Sequence, residues 1–131
     1  MKAVEVGRII KLLLMQNAEV TDLIGKKIFP IVAPEKTDYP FLIYGRTGVS
    51  PAYTKDRKSI SDTVRVGLTV ACAEYEQSVD IVEAVFKVLQ RCSGAFDGVE
   101  IDDIRMVNSD EDFQDDCFMQ NIEFEVDINN N

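Results

Sequence analysis

The chain contains no histidine. This sets aside zinc sites, which usually recruit it, and every nucleophile that depends on an imidazole partner. Cysteine is scarce: Cys72, Cys92 and Cys117 leave at least one thiol unpaired in an isolated chain, and no two form a C-x-x-C pair. All three lie in apolar runs, so they read as small buried hydrophobes of a protein kept in a reducing compartment. With only seven glycines and four prolines there is no glycine-rich phosphate loop, and Gly25-Lys26-Lys27 is too slight to make one. No apolar run approaches the roughly 18 residues of a membrane span. The N-terminal stretch Met1–Met15 is broken up by Glu5, Arg8 and Lys11, and no small-residue cleavage site follows it. The expectation is a chain that stays in the cytoplasm where it is made and does not meet a membrane.

What is present is ordinary globular material. The composition, 46% hydrophobic and 28% charged, excludes disorder for most of the chain. A length of 131 residues fits one domain, 1–131, and buries roughly 70% of the surface an unfolded chain exposes. The net charge of −9 is unevenly placed. Residues 97–131 set twelve acids against the single Arg105, whereas residues 1–96 carry eleven acids and thirteen bases. Such a surface repels nucleic-acid backbones, which disfavours DNA binding as the main activity.

Periodicity supplies the architecture. Ala3, Val6, Ile10 and Leu13 recur at helical spacing over residues 2–16, with Asn17 as terminator. Thr21 to Gly25 reads as one helical turn, capped by Thr21 and ended by Gly25. A short strand, Lys27–Ile31, is marked as an edge by Pro30. A second strand covers residues 41–46, and residues 47–58 read as a polar loop. From Ile60 to Cys72 apolar even positions alternate with mostly polar odd ones, the signature of a strand in an antiparallel sheet with one solvated face. A helix over residues 75–92 shows a stripe of Val79, Val82, Phe86 and Leu89, with Asp80, Glu83 and Lys87 pairing outside, and Ser93-Gly94 ends it. Val99–Met106 is a strand whose phase slips at Asp102-Asp103, as a bulge would make it. Phe118 to Ile128 alternates apolar with Asn121, Glu123, Glu125 and Asp127. The predicted fold is α+β: an antiparallel, at most mixed, sheet of four to five strands with two helices on one face, in the order α-β-β-β-α-β-β. No internal repeat or linker interrupts it.

Two charged segments stand out. Residues 108–116 hold Asp110, Glu111, Asp112, Asp115 and Asp116, and read as a solvated turn or an interface loop. A calcium loop would need glycine where Phe113 stands and helices where strands are predicted. Carboxylates of this kind also serve divalent-cation binding or metal-dependent hydrolysis, and that alternative class stays open. Lys55, Arg57 and Lys58 form a basic loop that is either merely solvated or docks on an acidic surface of a second copy. Phe29, Phe41 and Tyr44 read as sheet core. No catalytic residue, metal ligand or cofactor site emerges, and the expectation is a protein that is not an enzyme.

The run Val20-Thr21-Asp22-Leu23-Ile24-Gly25-Lys26-Lys27-Ile28-Phe29-Pro30, then Ala33-Pro34, then Tyr39-Pro40-Phe41-Leu42-Ile43-Tyr44 resembles the bacteriophage tail-completion proteins, also called tail terminators. The similarity in element order extends over nearly the whole chain, down to Phe124-Glu125-Val126. Gly25, Ile28, Phe29 and Pro30 punctuate structure and bring no chemistry. Lys26-Lys27 and the acidic segment depart from the family pattern. The resemblance implies a ring subunit, often of a hexamer, on the head-proximal end of the tail tube. Its partners would be copies of itself, the tail tube protein and the head–tail connector. It implies a location in the bacterial cytoplasm during assembly and then in the virion tail. Another neck or minor tail protein is the nearest alternative.

Overall fold

A computed structural model of the chain describes residues 2–53, 55 and 59–130. A 3-10 turn at Lys2–Glu5 leads into α1, Val6–Met15, and α2, Ala18–Ile24, follows at once. Asn17 starts α2 rather than ending α1: its side chain accepts the Val20 N–H at 3.0 Å, satisfying one of the unpaired donors of a first helical turn. Gly25 closes α2 at φ 64°, where a side chain would be strained. Strands β1 (Ile28–Pro30), β2 (Phe41–Tyr53) and β3 (Ser59–Cys72) precede α3 (Tyr75–Leu89), and β4 (Gly94–Phe96), β5 (Val99–Gln114) and β6 (Cys117–Asn129) complete the chain.

The described residues form one sheet of order β1-β2-β3-β6-β5-β4. Its pairs are antiparallel except β1 with β2. The expectation of a mixed α+β fold holds at that level, and the counts are corrected upward to six strands and three α-helices. The extra elements are short. β4 has three residues without alternation, and α2 extends the single turn expected at Thr21–Gly25 by one turn, with Asn17 in place of Thr21 as its cap.

The helices cover one face. Val64, Val66, Leu68 and Val70 of β3 and Ile122, Phe124, Val126 and Ile128 of β6 turn inward with Leu42 and Tyr44 of β2. They meet Val6, Ile9, Ile10 and Leu14 of α1 and Ile81, Val85 and Leu89 of α3 in one cluster. Each such aliphatic burial stabilises by about 1.5–3 kcal/mol before chain entropy is counted. The buried stripe of α3 runs through Ser78, Ile81, Val85 and Leu89, so Val79, Val82 and Phe86 are only half-buried. The difference has a polar cause: Ser78 reaches the interior because its hydroxyl donates to the Tyr75 carbonyl at 2.6 Å and accepts from Gln120 at 3.2 Å.

The two long strands overturn two expected loops. β2 continues through residues 47–53, and β5 continues through 108–114. Composition misled here, because neither extension carries a sustained apolar face: of residues 47–53 only Val49 packs against the core, and alternation shows only where one face is buried. The bulge expected near Asp102 is present between Ile101 and Asp103, and a second lies between Met106 and Asn108.

Candidate assembly surface

The second bulge decides where the acids point. Ile104 and Met106 face the helices opposite Val126 and Phe124. Val107 takes up one residue of slack and is 45% exposed. Beyond it the phase is reversed: Asn108, Asp110 and Asp112 oppose Glu123, Asn121 and Met119 on the open face, while Glu111 and Phe113 oppose Gln120 and Phe118 on the helix side. The five acids predicted as one segment are therefore divided. Asp110 accepts from Asn121 at 2.9 Å on the open face. Glu111 accepts from Tyr75 at 2.8 Å and from Gln120 at 3.0 Å, and the Tyr75 hydroxyl is raised above its ordinary pKa by that bond and by the carboxylate's charge. Phe118 packs against both Phe113 and Tyr75, with ring centroids 4.8 and 5.8 Å away. This tip is thus clamped to α3. Asp115 and Asp116 form the two-residue turn, both at positive φ, 54° and 59°. Turns of that kind match strand twist and favour Asn-Gly.

The rest of the open face is a polar ladder. Arg105 lies across three acids: Asp127 at 2.6 Å, Glu125 at 3.0 Å and Asp103 at 3.5 Å. Its guanidinium is raised above the ordinary value, first by the Asp127 bond, with partial burial opposing and the charges of Asp127 and Glu125 adding. Partial burial alone would lift the Asp127 carboxyl. Hydrogen bonds from Arg105 and Thr63 and the guanidinium charge outweigh it and lower that pKa. Glu123 accepts from Thr47 at 3.1 Å, and Asn121 accepts from Thr69 at 2.8 Å. Arg91 binds Asp103 at 2.8 Å from outside the sheet. Four carboxylates, Asp103, Glu123, Glu125 and Asp127, thus share one face with Arg105 at its centre.

Chemically this surface is built to present charge. Among the described residues no group of three or more Cys, Asp or Glu is placed to hold a metal ion. Burial pushes the Cys72 thiol up to about 11, with the nearby Cys117 adding, so it is not a thiolate at neutral pH. No described helix is long and apolar enough to cross a membrane.

Of the basic segment, Lys55 is exposed in the turn after β2, and Arg57 and Lys58 lie outside the described residues. Tyr44 is core as expected, but Phe41 points to the open face. There it stacks on Tyr39, with centroids 5.6 Å apart, and covers Ala71 and Cys117 together with the 31–40 loop. The groove so formed, about 320 Å³ and lined by Ile31, Val32, Ile43 and Met119, was not visible to sequence reasoning. Its only trace is a pair of apolar residues, Ile31-Val32, set in a loop.

The family model described as Tail completion protein gp17 matches residues 10–128. The chain belongs to the tail completion protein family. Membership makes it a structural component of the phage tail, and the family is one of virion proteins rather than of catalysts. The fold is also that of a chain in a solved structure described as "Virion of native gene transfer agent (GTA) particle". The two share 14% identity at a TM-score of 0.80, over 92% of this chain and 91% of that one. No curated protein matches the tail completion chain in sequence.

Proposed function

We propose that this tail completion protein is a single-domain, self-assembling ring subunit that caps the head-proximal end of the tail tube and joins it to the head connector. The observation that carries this reading is the separation of opposite charges along one sheet. The acidic β5–β6 tip, with Asp110, Asp112, Asp115 and Asp116, lies at the end where Phe41 pairs with Ala71. The basic segment of Lys55, Arg57 and Lys58 joins β2 to β3 at the other end. A subunit with unlike ends is suited to head-to-tail contacts, which close into rings when the rotation permits. The carboxylate ladder of β5 and β6 would then face the bore and keep DNA off the wall. Glu111, held by Tyr75 and Gln120, is a structural member of the tip. The subunit would reside in the host cytoplasm until it joins the tail.

The test is light scattering coupled to gel filtration at low and high protein concentration, with and without isolated tail tubes. A ring-sized species, free or on the tubes, that falls apart in high salt is expected. A chain that stays monomeric in all four conditions overturns the reading. Replacing Asp110, Asp112, Asp115 and Asp116 with Asn should leave the fold intact and impair assembly or DNA passage, seen as a fall in infectious particles.

A further inference from the structure

The groove beside the acidic tip exposes apolar side chains at a cost the fold does not require. Ile31 and Val32 are 71% and 70% exposed. Ile31 is β-branched yet sits at φ 67°, a conformation that costs on the order of 1–3 kcal/mol. Hydrogen bonds from the Ile31 N–H to the Tyr44 carbonyl and from the Val32 N–H to the Pro30 carbonyl, both 2.7 Å, hold the loop there. The result is an apolar channel between this pair and Tyr39, Phe41, Ile43 and Met119, with Asp115 at its rim.

The other end of the sheet carries a matching projection. Every described residue of β2 from Ser50 to Tyr53 is exposed, with Tyr53 at 68%, and Ile60 beside it on β3 is 43% exposed. These apolar groups flank a connection whose sequence, Lys55-Asp56-Arg57-Lys58, is basic. The register from Phe41↔Ala71 to Tyr53↔Ser59 puts about 40 Å of strand between groove and projection, at about 3.3 Å per residue. The two cannot meet within one chain.

We propose that the β2–β3 hairpin of one copy seats Tyr53 and Ile60 in the groove of a second copy, with Lys55 against Asp115 at the groove's rim. The occupant is a second copy because the groove joins an apolar lining to an acidic rim, and the hairpin joins exposed apolar side chains to an exposed lysine. This inference rests on the self-assembly reading and names the contact that assembly uses. The contact is heterologous, so it propagates from copy to copy.

The test uses two full-length variants, Val32→Cys and Tyr53→Cys, in a background with Cys92→Ser and the groove's own thiol removed as Cys117→Ala, mixed at high concentration under mild oxidation. A mixed disulfide between the variants, in several-fold excess over either same-variant dimer and reduced by high salt, is expected. Introducing Asp115→Asn with Asp116→Gly, a pair the turn itself favours, should lower the mixed yield. Oligomers by light scattering without a mixed disulfide would overturn this contact and leave the ring reading standing. A mixed disulfide in open chains that never close would support the contact and remove the ring. Neither oligomers nor a mixed disulfide would overturn both.

Discussion

The two long hairpins of the sheet share a strand pairing, β3 with β6, and little else. The β5–β6 hairpin is held to α3 at its far end by Tyr75, Ser78, Glu111, Gln120 and the Phe113–Phe118 stack. The β2–β3 hairpin leaves Ser50 to Tyr53 exposed. Both ends carry clustered charge in the sequence, so charge alone does not separate them. What separates them is whether a helix lies beneath. The acidic tip has its own scaffold, whereas the β2–β3 end, as far as Tyr53, has none.

The largest expected effect probes the clamp. Phe118→Ala should cost about 2–3 kcal/mol by urea denaturation, because it empties the space between Phe113 and Tyr75. Tyr53→Ala should change the stability of the monomer by less than about 0.5 kcal/mol. Equal losses would erase the distinction between the hairpins.

Arg105→Met keeps the apolar stem and removes the charge that three carboxylates share. It should cost about 2 kcal/mol, discounted from the buried-pair range because the face is partly solvated. Added salt should restore part of the loss by screening Glu125 from Asp127. A melting temperature unchanged from the parent would show that the ladder is ornamental to folding.

At the acidic turn, Asp115→Asn with Asp116→Gly should raise stability by about 1 kcal/mol, since both positions have positive φ. The same variant should assemble less well. A gain in both properties would mean that the carboxylates serve no contact.

The smallest effect concerns pH. Asp127 is depressed in the folded state, so its contribution is fully present above the ordinary carboxylate pKa and is lost as pH falls through the folded value. Thermal melts taken from neutrality downward should show a shallower acid limb for Asp127→Asn than for the parent. Parallel limbs would contradict the hydrogen bonding drawn from Thr63 and Arg105.

Elements that bury one face were legible in the sequence. The alternation of Val64, Val66, Leu68 and Val70, and of Ile122, Phe124, Val126 and Ile128, states strand and inward face together. The slip at Asp102-Asp103 announced its bulge. The family too was legible, through the resemblance of Val20–Pro30, Ala33-Pro34 and Tyr39–Tyr44 to the tail-completion proteins. The surface was less so. Residues 108–114 looked like a loop because neither face of that stretch is covered by aliphatic core, and the bulge at Val107 leaves no mark in a polar run. The groove at Ile31 and Val32 went unseen because a loop's apolar residues gain meaning only from what the chain folds beside them.

The sequence by itself thus determined the central strands, the amphipathic helices, the split of charge between the two parts of the chain and the family. The first three follow from local spacing or from composition, and the family from a resemblance along the chain. Tertiary structure alone decided which acids share a face, that Glu111 is tied to α3 while Asp110 looks the other way, and that the β2–β3 and β5–β6 hairpins point to opposite ends of one sheet. Those outcomes depend on strand register, and register is set by bulges and by pairings between residues far apart in the chain, for which no local pattern codes.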